Sequence, residues 1–204
     1  MSLTDRVNAF ARKLPSWVIY LIYAAPAPVF FYMAATGRMG AEPISALQRE
    51  YGAIALQLLI IGLCITPLRR HLGVNLLKFR RAFGLLAFFY VVLHLGVWAL
   101  LDVQSVERVW ADIVKRPYIT IGMVAFLLMI PLALTSNNRA VRWLGPRWRR
   151  LHRLTYGVVL LGAVHFIWLR KGVQIEPLAY LAVILAVLAL RVDFKRLIGR
   201  WRAA

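Results

Sequence analysis

Residues 82–101 read AFGLLAFFYVVLHLGVWALL, a stretch without any Asp, Glu, Lys or Arg. A transmembrane helix needs about 20 predominantly apolar residues to cross about 30 Å of hydrocarbon. The stretch therefore predicts a membrane span. The imidazole of His94 lies well inside it, and an ionisable side chain at such a position indicates a functional site.

The rest of the chain has the same apolar character. Of its 204 residues, 61% belong to the set AVILMFWYC, and the mean hydropathy is +0.68. Soluble domains contain only about 45–50% apolar residues, so an ordinary water-soluble protein is excluded. The single cysteine, Cys64, excludes an intramolecular disulfide and the paired cysteines that attach haem covalently.

Six apolar segments predict an all-α fold, a polytopic membrane helical bundle with six transmembrane helices. They are residues 16–35, 52–66, 82–101, 118–134, 154–169 and 178–190. The second and sixth are short, so a buried or interfacial helix is the alternative for each. The first follows three basic residues, but it continues past Pro26 and Pro28 without a cleavage site for a signal peptide. We interpret it as an uncleaved anchor, bent by its prolines.

The basic residues are distributed unequally between the two sides of these spans. Of 26 Lys and Arg, 19 fall in the N-terminal segment, in the loops 67–81 and 135–153, and after residue 190. The positive-inside rule then predicts that both termini are cytoplasmic. The net charge of +18 reflects this topology and attraction to the anionic lipid of the bilayer. We expect no nucleic-acid partner, and no dinucleotide-binding or P-loop motif is found.

Two histidines lie inside predicted spans that run in the same direction, His94 in the third and His165 in the fifth. They precede the ends of their segments by 7 and 4 residues, which places them about 10 and 6 Å below the same membrane face. Two imidazoles at similar depth are what the axial ligands of one buried haem iron require, and such ligation favours electron transfer. The alternative is that a hydroxyl or a backbone carbonyl satisfies each ring.

Three further residues are candidates near the opposite face. His152 precedes His165 by 13 residues, about 20 Å along a helix, and this spacing does not return to the same helix face. It requires either an irregular first turn at His152 or a local distortion permitted by Gly157 and Gly162. Arg80 and Arg81 stand at a similar depth and would suit haem propionates, with the inner anchor of a helix as the alternative. His71 has no partner at a useful depth and is interpreted as a loop histidine.

Four glycines lie in the third and fifth spans. Small residues let a flat macrocycle approach the backbone, although they serve ordinary helix packing in lipid equally well. These glycines are Gly84, Gly96, Gly157 and Gly162.

Several short motifs, taken in order and with their spacing, resemble one family. They are GAEP at 40–43, ITPL at 65–68, RRAFG at 80–84 with HL at 94–95, RPYITIG at 116–122, LTS at 134–136, and LG at 144–145 with LHRLTY at 151–156 followed by His165. Over nearly its whole length the chain resembles the MsrQ (YedZ) family. Its members are haem-binding membrane subunits of the bacterial periplasmic methionine sulfoxide reductase system, similar to the transmembrane domains of ferric reductases and NADPH oxidases.

The resemblance implies a single ferric reductase-like transmembrane domain over residues 1–204, in a multi-pass protein of the bacterial inner membrane. It implies one or two haem b groups ligated by His94, His152 and His165, with FMN as an additional cofactor. Electrons would come from the membrane quinone pool. They would pass to a periplasmic molybdenum-containing reductase that repairs oxidised methionines, so the chain would be a non-catalytic electron-transfer subunit of an oxidoreductase complex.

One feature departs from the oxidase relatives, because the third span holds only one histidine. The ligand opposite His152 would then have to be Arg80, Arg81, His71 or an exogenous group.

Functions of another class are compatible with the same composition. A small non-haem transporter or structural bundle protein would use its histidines for hydrogen bonds or proton relay. However, every Asp and Glu lies at or beyond a predicted helix end, whereas a proton-coupled carrier usually needs an intramembrane carboxylate. A stand-alone quinone or metal-ion reductase is the alternative within the redox class.

Overall fold

The computed structural model describes residues 2–169 and 174–191. Within these ranges the secondary structure is helical, without a strand, which confirms the predicted all-α fold. The helices are α1 Leu3–Lys13, α2 Ser16–Ala24, α3 Pro26–Ala35, α4 Pro43–Leu72, α5 Arg80–Gly96, α6 Val106–Lys115, α7 Pro117–Leu134, α8 Asn138–Leu144, α9 Pro146–Leu151, α10 Leu154–Leu169 and α11 Ile175–Ala189. The basic residues expected at 170–171 and after residue 191 lie outside the described residues.

Five segments of the described chain are long and apolar enough to cross a membrane. They are Ser16–Ala35, Pro43–Leu72, Leu77–Val103, Pro117–Leu134 and Pro146–Leu169. Each contains one of the first five predicted spans. The sixth, α11, is apolar but has only 15 residues, so the number six and the cytoplasmic placement of the termini stay predictions.

The second span is longer than the sequence suggested. It begins at Pro43 and not at residue 52, because a proline fits the first turn of a helix, where its missing N–H costs no hydrogen bond. It ends at Leu72 and is followed by Gly73, whose φ of 69° is the left-handed conformation that glycine adopts without strain. Arg49 and Glu50 therefore lie within a helix. With 30 residues, α4 is no longer a candidate for a short interfacial helix.

The prolines of the first span interrupt it. The helix α2 ends at Ala24, and α3 begins at Pro26, which has no backbone N–H to continue the preceding turns. Two buried hydroxyls attach these helices to the bundle: Tyr51 donates to the carbonyl of Ala27, and Tyr90 donates to that of Tyr23, each at 2.7 Å.

Two helix hairpins form the core of the protein. The helix α4 packs along α5, and α7 packs along α10, and the hairpins meet where α5 contacts α7 and α4 contacts α10. In each hairpin the second helix carries an intramembrane histidine near its end, His94 on α5 and His165 on α10. We call that end of the bundle the histidine end, and the opposite end, where α5 begins at Arg80, the arginine end.

A charged side chain repairs a defect in α4. Pro67 lies inside the helix and has no N–H to donate to the carbonyl of Leu63. Arg191, which follows α11, donates to that carbonyl from Nε at 3.1 Å and from Nη2 at 2.5 Å. Its guanidinium also donates to the hydroxyls of Tyr156 at 2.8 Å and Thr66 at 3.2 Å. The contact ties α11 to the core.

We expect Arg191→Ala to lower the thermal unfolding midpoint in detergent, because the Leu63 carbonyl loses its donors. Leaving a buried polar group unsatisfied costs about 1–3 kcal/mol. Pro67→Ala restores a helix N–H four residues after Leu63, so the effect of Arg191→Ala should be smaller in that background. Thermal unfolding of the single and double variants forms the cycle that measures this coupling, and strictly additive effects would contradict the assignment.

Candidate functional site

The structure brings His94 and His165 together at the histidine end. Their ring centroids lie 6.2 Å apart, and the ring planes are perpendicular, at 90°. Both rings are partly buried. The distances from the span ends predict a similar depth for the two rings, and the contacts of α5 with α7 and of α4 with α10 bring the two hairpins, and with them the two rings, together.

Each ring is fixed by a backbone carbonyl of the neighbouring helix. His94 Nδ1 lies 2.8 Å from the Gln48 carbonyl oxygen of α4, and His165 Nδ1 lies 2.7 Å from the Tyr118 carbonyl oxygen of α7. A carbonyl oxygen only accepts, so in both rings Nδ1 carries the proton and donates it. In a neutral ring Nε2 is then the unprotonated nitrogen with a lone pair. Metal-ligating histidines are oriented in this way.

Two glycines make this approach possible. Gly52 follows Gln48 by one helical turn, and Gly122 follows Tyr118 by one turn, so each lies on the same helix face as the acceptor. A Cβ atom at Gly52 would lie 3.0 Å from His94 Nδ1, and one at Gly122 would lie 2.9 Å from His165 Nδ1. The imidazoles therefore occupy space that any other residue would fill.

These two glycines are not among the four that the sequence suggested as candidates for close approach to a cofactor. A Cβ at Gly84, Gly96 or Gly157 would meet nothing within 4 Å, and one at Gly162 would make an ordinary contact with a leucine side chain at 3.5 Å. The missed signal is a repeat: Gly52 precedes His94 by 42 residues, and Gly122 precedes His165 by 43. Each hairpin thus carries a glycine near the start of its first helix and a histidine near the end of its second.

Two features stand out in the segments next to the histidine pair, a widened helix in one hairpin and a group of side-chain contacts in the other. The helix α5 continues as a π-helix over Val97–Val103, a widened form that occurs frequently at functional sites. On the other hairpin, Arg116 donates to the Tyr118 hydroxyl at 3.2 Å and pairs with Asp112 at 3.1 Å. The Tyr118 hydroxyl and the Asp112 carboxylate raise the pKa of Arg116, so its charge persists at the start of α7.

The three other candidate residues line one cavity at the arginine end, with a volume of about 340 Å³. Arg80, Arg81 and His152 all face it. His152 lies in the turn between α9 and α10, which is one of the two arrangements that its spacing from His165 allowed. The Nη2 atom of Arg81 donates to the Asn138 side-chain oxygen at 2.9 Å.

His152 is held differently from the two other rings. It stacks on Trp148, with ring centroids 3.9 Å apart. The Thr135 hydroxyl donates to the Pro131 carbonyl at 2.6 Å, so it accepts from His152 Nε2, which lies 2.9 Å away. In this arrangement Nε2 carries the proton of the neutral ring. To use Nε2 as a metal ligand, His152 would have to give up Thr135.

His71 does not join either group. It lies in the last turn of α4, not in a loop as interpreted from the sequence. Its Nε2 atom lies 3.2 Å from the carbonyl oxygen of Leu190, which ties α4 to the end of α11.

The donor set at the histidine end fits a haem iron. No group of three or more His, Cys, Asp or Glu that would hold a metal occurs in residues 2–169 and 174–191, whereas haem iron brings four nitrogens of its own and needs only axial ligands. His94 and His165, with ring centroids 6.2 Å apart, are the residues at this end that would hold it, because neutral imidazole is a common ligand of haem iron.

Hydrogen bonding within the bundle, the alternative to metal ligation, accounts for only one of the two nitrogens in each ring. The carbonyls of Gln48 and Tyr118 satisfy Nδ1, but the part of the chain that the structure describes offers no hydrogen-bond partner to Nε2 of His94 or His165. Unsatisfied nitrogens in partly buried rings are costly unless a ligand uses them.

The chain is similar to known proteins over most of its length. The family described as ferric reductase like transmembrane component matches residues 51–163, a range that includes His94 and His152. A protein-methionine-sulfoxide reductase heme-binding subunit MsrQ from Agrobacterium fabrum is 42% identical over 194 residues, with 90% of each chain covered. The proteins of the same name from Brucella ovis and Brucella anthropi are both 43% identical, over 88% and 86% of this chain and 85% and 81% of their own. No solved structure matches.

Proposed function

Because the chain belongs to the MsrQ family, within the ferric reductase-like transmembrane components, we propose that it is the haem-binding membrane subunit of a methionine sulfoxide reductase system and transfers electrons. The observation that carries this proposal is the pair of imidazoles, His94 and His165, 6.2 Å apart. Both donate from Nδ1 to a carbonyl and keep Nε2 for a metal.

The chain's own groups would prepare the ligands before the cofactor arrives. Haem iron, when bound, supplies one-electron redox chemistry. His94 and His165 would hold it through their Nε2 atoms, and ligation by two imidazoles favours electron transfer. The carbonyls of Gln48 and Tyr118 accept hydrogen bonds from the two Nδ1 atoms. These bonds fix the ring orientations and make each Nε2 a more basic ligand for a metal.

The direction of transfer belongs to the same proposal. We place electron entry at the quinone pool and electron exit at a periplasmic molybdenum-containing reductase, with the arginine end of the bundle cytoplasmic and the protein in the bacterial inner membrane. The basic residues support this orientation by the positive-inside rule, and the names of the relatives support a reductase partner for oxidised methionine.

A second cofactor would lie in the cavity at the arginine end. His152 supplies a nitrogen there, and Arg80 and Arg81 supply positive charge on the same cavity. Haem propionates and the phosphate of FMN are both anions that arginine binds well. We propose haem b as the occupant, which makes two haems in all, and extraction followed by flavin fluorescence would detect FMN.

The test of the proposed function is spectroscopic. The protein purified in lipid nanodiscs should show a Soret band that shifts on reduction with dithionite, and the pyridine haemochrome should identify haem b. The reduced protein should be reoxidised by its reductase partner with methionine sulfoxide present. A colourless protein would instead favour the transporter or structural alternative. Reoxidation by quinone or ferric iron, with none by the reductase, would favour the stand-alone reductase.

We expect His152→Ala to reduce the haem content by about half and to leave the haem at the histidine end in place. The reason is that His152 lies in the turn before α10, whereas His165 lies near the other end of that helix, roughly 20 Å away at about 1.5 Å per residue. The haem-to-protein ratio by pyridine haemochrome measures the change. His71→Ala is the matched control, since His71 contacts neither group. An unchanged haem ratio in the His152 variant would refute its role as a ligand.

A further inference from the structure

The N-terminal helix α1 is hydrogen-bonded to residues 73–79, the connector between α4 and α5. The side chain of Asn8 donates to the Gly73 carbonyl at 3.0 Å and accepts from the Asn75 N–H at 2.8 Å. Lys78 donates to the carbonyl of Arg12 at 2.9 Å. The connector continues into a 3₁₀ turn, Leu77–Phe79, whose first two residues line the cavity at the arginine end.

An apolar row on α1 is left uncovered by residues 2–169 and 174–191. Leu3, Val7 and Phe10 are exposed by 79%, 36% and 67%. At about 100° per residue these three positions share one helix face. An exposed apolar row on a helix beside a membrane bundle is typical of a helix that lies in the interface with lipid.

The other faces of α1 agree with this orientation. Asn8 and the buried Ala11 point to the connector, about 100° around the helix from the apolar row. Ala9 and Lys13 lie on the remaining side, about 100° from the row in the opposite direction. A helix that lies flat beside a bundle needs these three faces: one for lipid, one for protein and one for water.

The charges identify the kind of lipid. Arg6, Arg12 and Lys13 are exposed, whereas the only acidic residue of α1, Asp5, caps the helix through Ser2. Exposed Arg69 lies in the last turn of α4, the helix whose Leu72 carbonyl accepts from Thr4 of α1, and it adds positive charge at this end of the bundle. Basic residues close to a membrane are attracted to anionic headgroups.

We propose that α1 is an in-plane membrane helix that lies in an anionic headgroup layer with Leu3, Val7 and Phe10 in the acyl chains, and that it holds the rim of the arginine-end cavity through Asn8. The proposal does not depend on the identity of any cofactor.

The first test places single nitroxide labels on α1 in a Cys64→Ala background, in nanodiscs that contain phosphatidylglycerol. Labels at Leu3 and Phe10 should collide with oxygen far more than with a water-soluble nickel chelate, and labels at Ala9 and Lys13 should show the reverse. In discs of phosphatidylcholine alone, nickel access at Leu3 and Phe10 should rise by about fivefold for each basic residue that loses its anionic surface.

Three results would overturn the membrane assignment. Nickel access at all four positions would place α1 in water. Exclusion of both reagents at Leu3 and Phe10 would mean that protein covers the row, as in a second copy of this chain. Equal access in the two lipid compositions would remove the role of anionic headgroups.

The second test addresses the grip on the connector. Asn8→Ala should increase amide hydrogen exchange over residues 73–79 several-fold, because the Asn75 N–H loses its acceptor, whereas Arg6→Ala should leave it unchanged. A label at Phe10 in the Asn8 variant shows whether α1 itself stays folded in the lipid. If α1 stays in the lipid and exchange over 73–79 does not change, Asn8 does not hold the rim of the arginine-end cavity.

Discussion

Replacing His94 or His165 by alanine is expected to abolish haem binding at the histidine end. Each ring would supply one of two axial ligands, and the described chain has no other His, Cys, Asp or Glu grouped with them as a substitute. The low-spin signal of a bis-imidazole haem should disappear from the ferric spectrum in either variant, and the haem-to-protein ratio should fall by the amount bound at that end.

His71→Ala serves as the control for both variants. It removes an imidazole of the same membrane protein whose hydrogen-bond partner among the described residues is the Leu190 carbonyl, so general effects of losing a histidine appear there. Full haem retention in the His94 and His165 double alanine variant would show that the ligands are elsewhere. Partial loss in the single variants, with complete loss in the double variant, would show that one imidazole suffices to retain the group.

Gly122→Ala is expected to have the second largest effect, with Gly52→Ala close behind. The new Cβ would lie 2.9 Å from His165 Nδ1 and 3.0 Å from its Cε1, closer than such atoms approach one another in proteins. The ring would have to move away from α7 and would lose its 2.7 Å hydrogen bond to the Tyr118 carbonyl. Losing such a supporting contact typically costs about 10–100-fold in metal affinity.

The measurement is a haem titration of the apoprotein, together with the reduction potential and the ferric electron paramagnetic resonance spectrum. Gly162→Ala is the matched control on α10, where the added methyl would meet only the end of the Leu56 side chain at 3.5 Å. The same affinity and spectrum in the Gly122 and Gly162 variants would mean that close approach to α7 does not hold His165.

The sequence was sufficient to predict the elements that depend on local patterns. Long apolar runs identify five of the spans, and the distance of His94 and His165 from the span ends places them at a common depth. These predictions use only helix rise and bilayer thickness. The spacing of His152 likewise indicated either an irregular turn or a distorted helix, and the residue lies in a turn.

Other features depend on how one helix is placed against another, and no local pattern reveals that. The contacts of Gly52 with His94 and of Gly122 with His165 arise from the register between α4 and α5 and between α7 and α10. The Thr135 hydroxyl that engages His152 lies on a different helix boundary. The ten-residue amphipathic helix α6 lies between the third and fourth predicted spans, where residues 102–117 have mixed charges and no long apolar run that would predict it.

Each of the two imidazoles has the same surroundings, a carbonyl at Nδ1 and a glycine beside the ring, and this similarity bears on the rate of electron transfer. Both rings donate a hydrogen bond from Nδ1 and lie close to a glycine, so neither would swing if a haem held between them gained or lost one electron. A preorganised environment of this kind keeps the reorganisation energy small. The rate at which an electron enters or leaves would then be set by the separation between redox centres and not by rearrangement of the polypeptide.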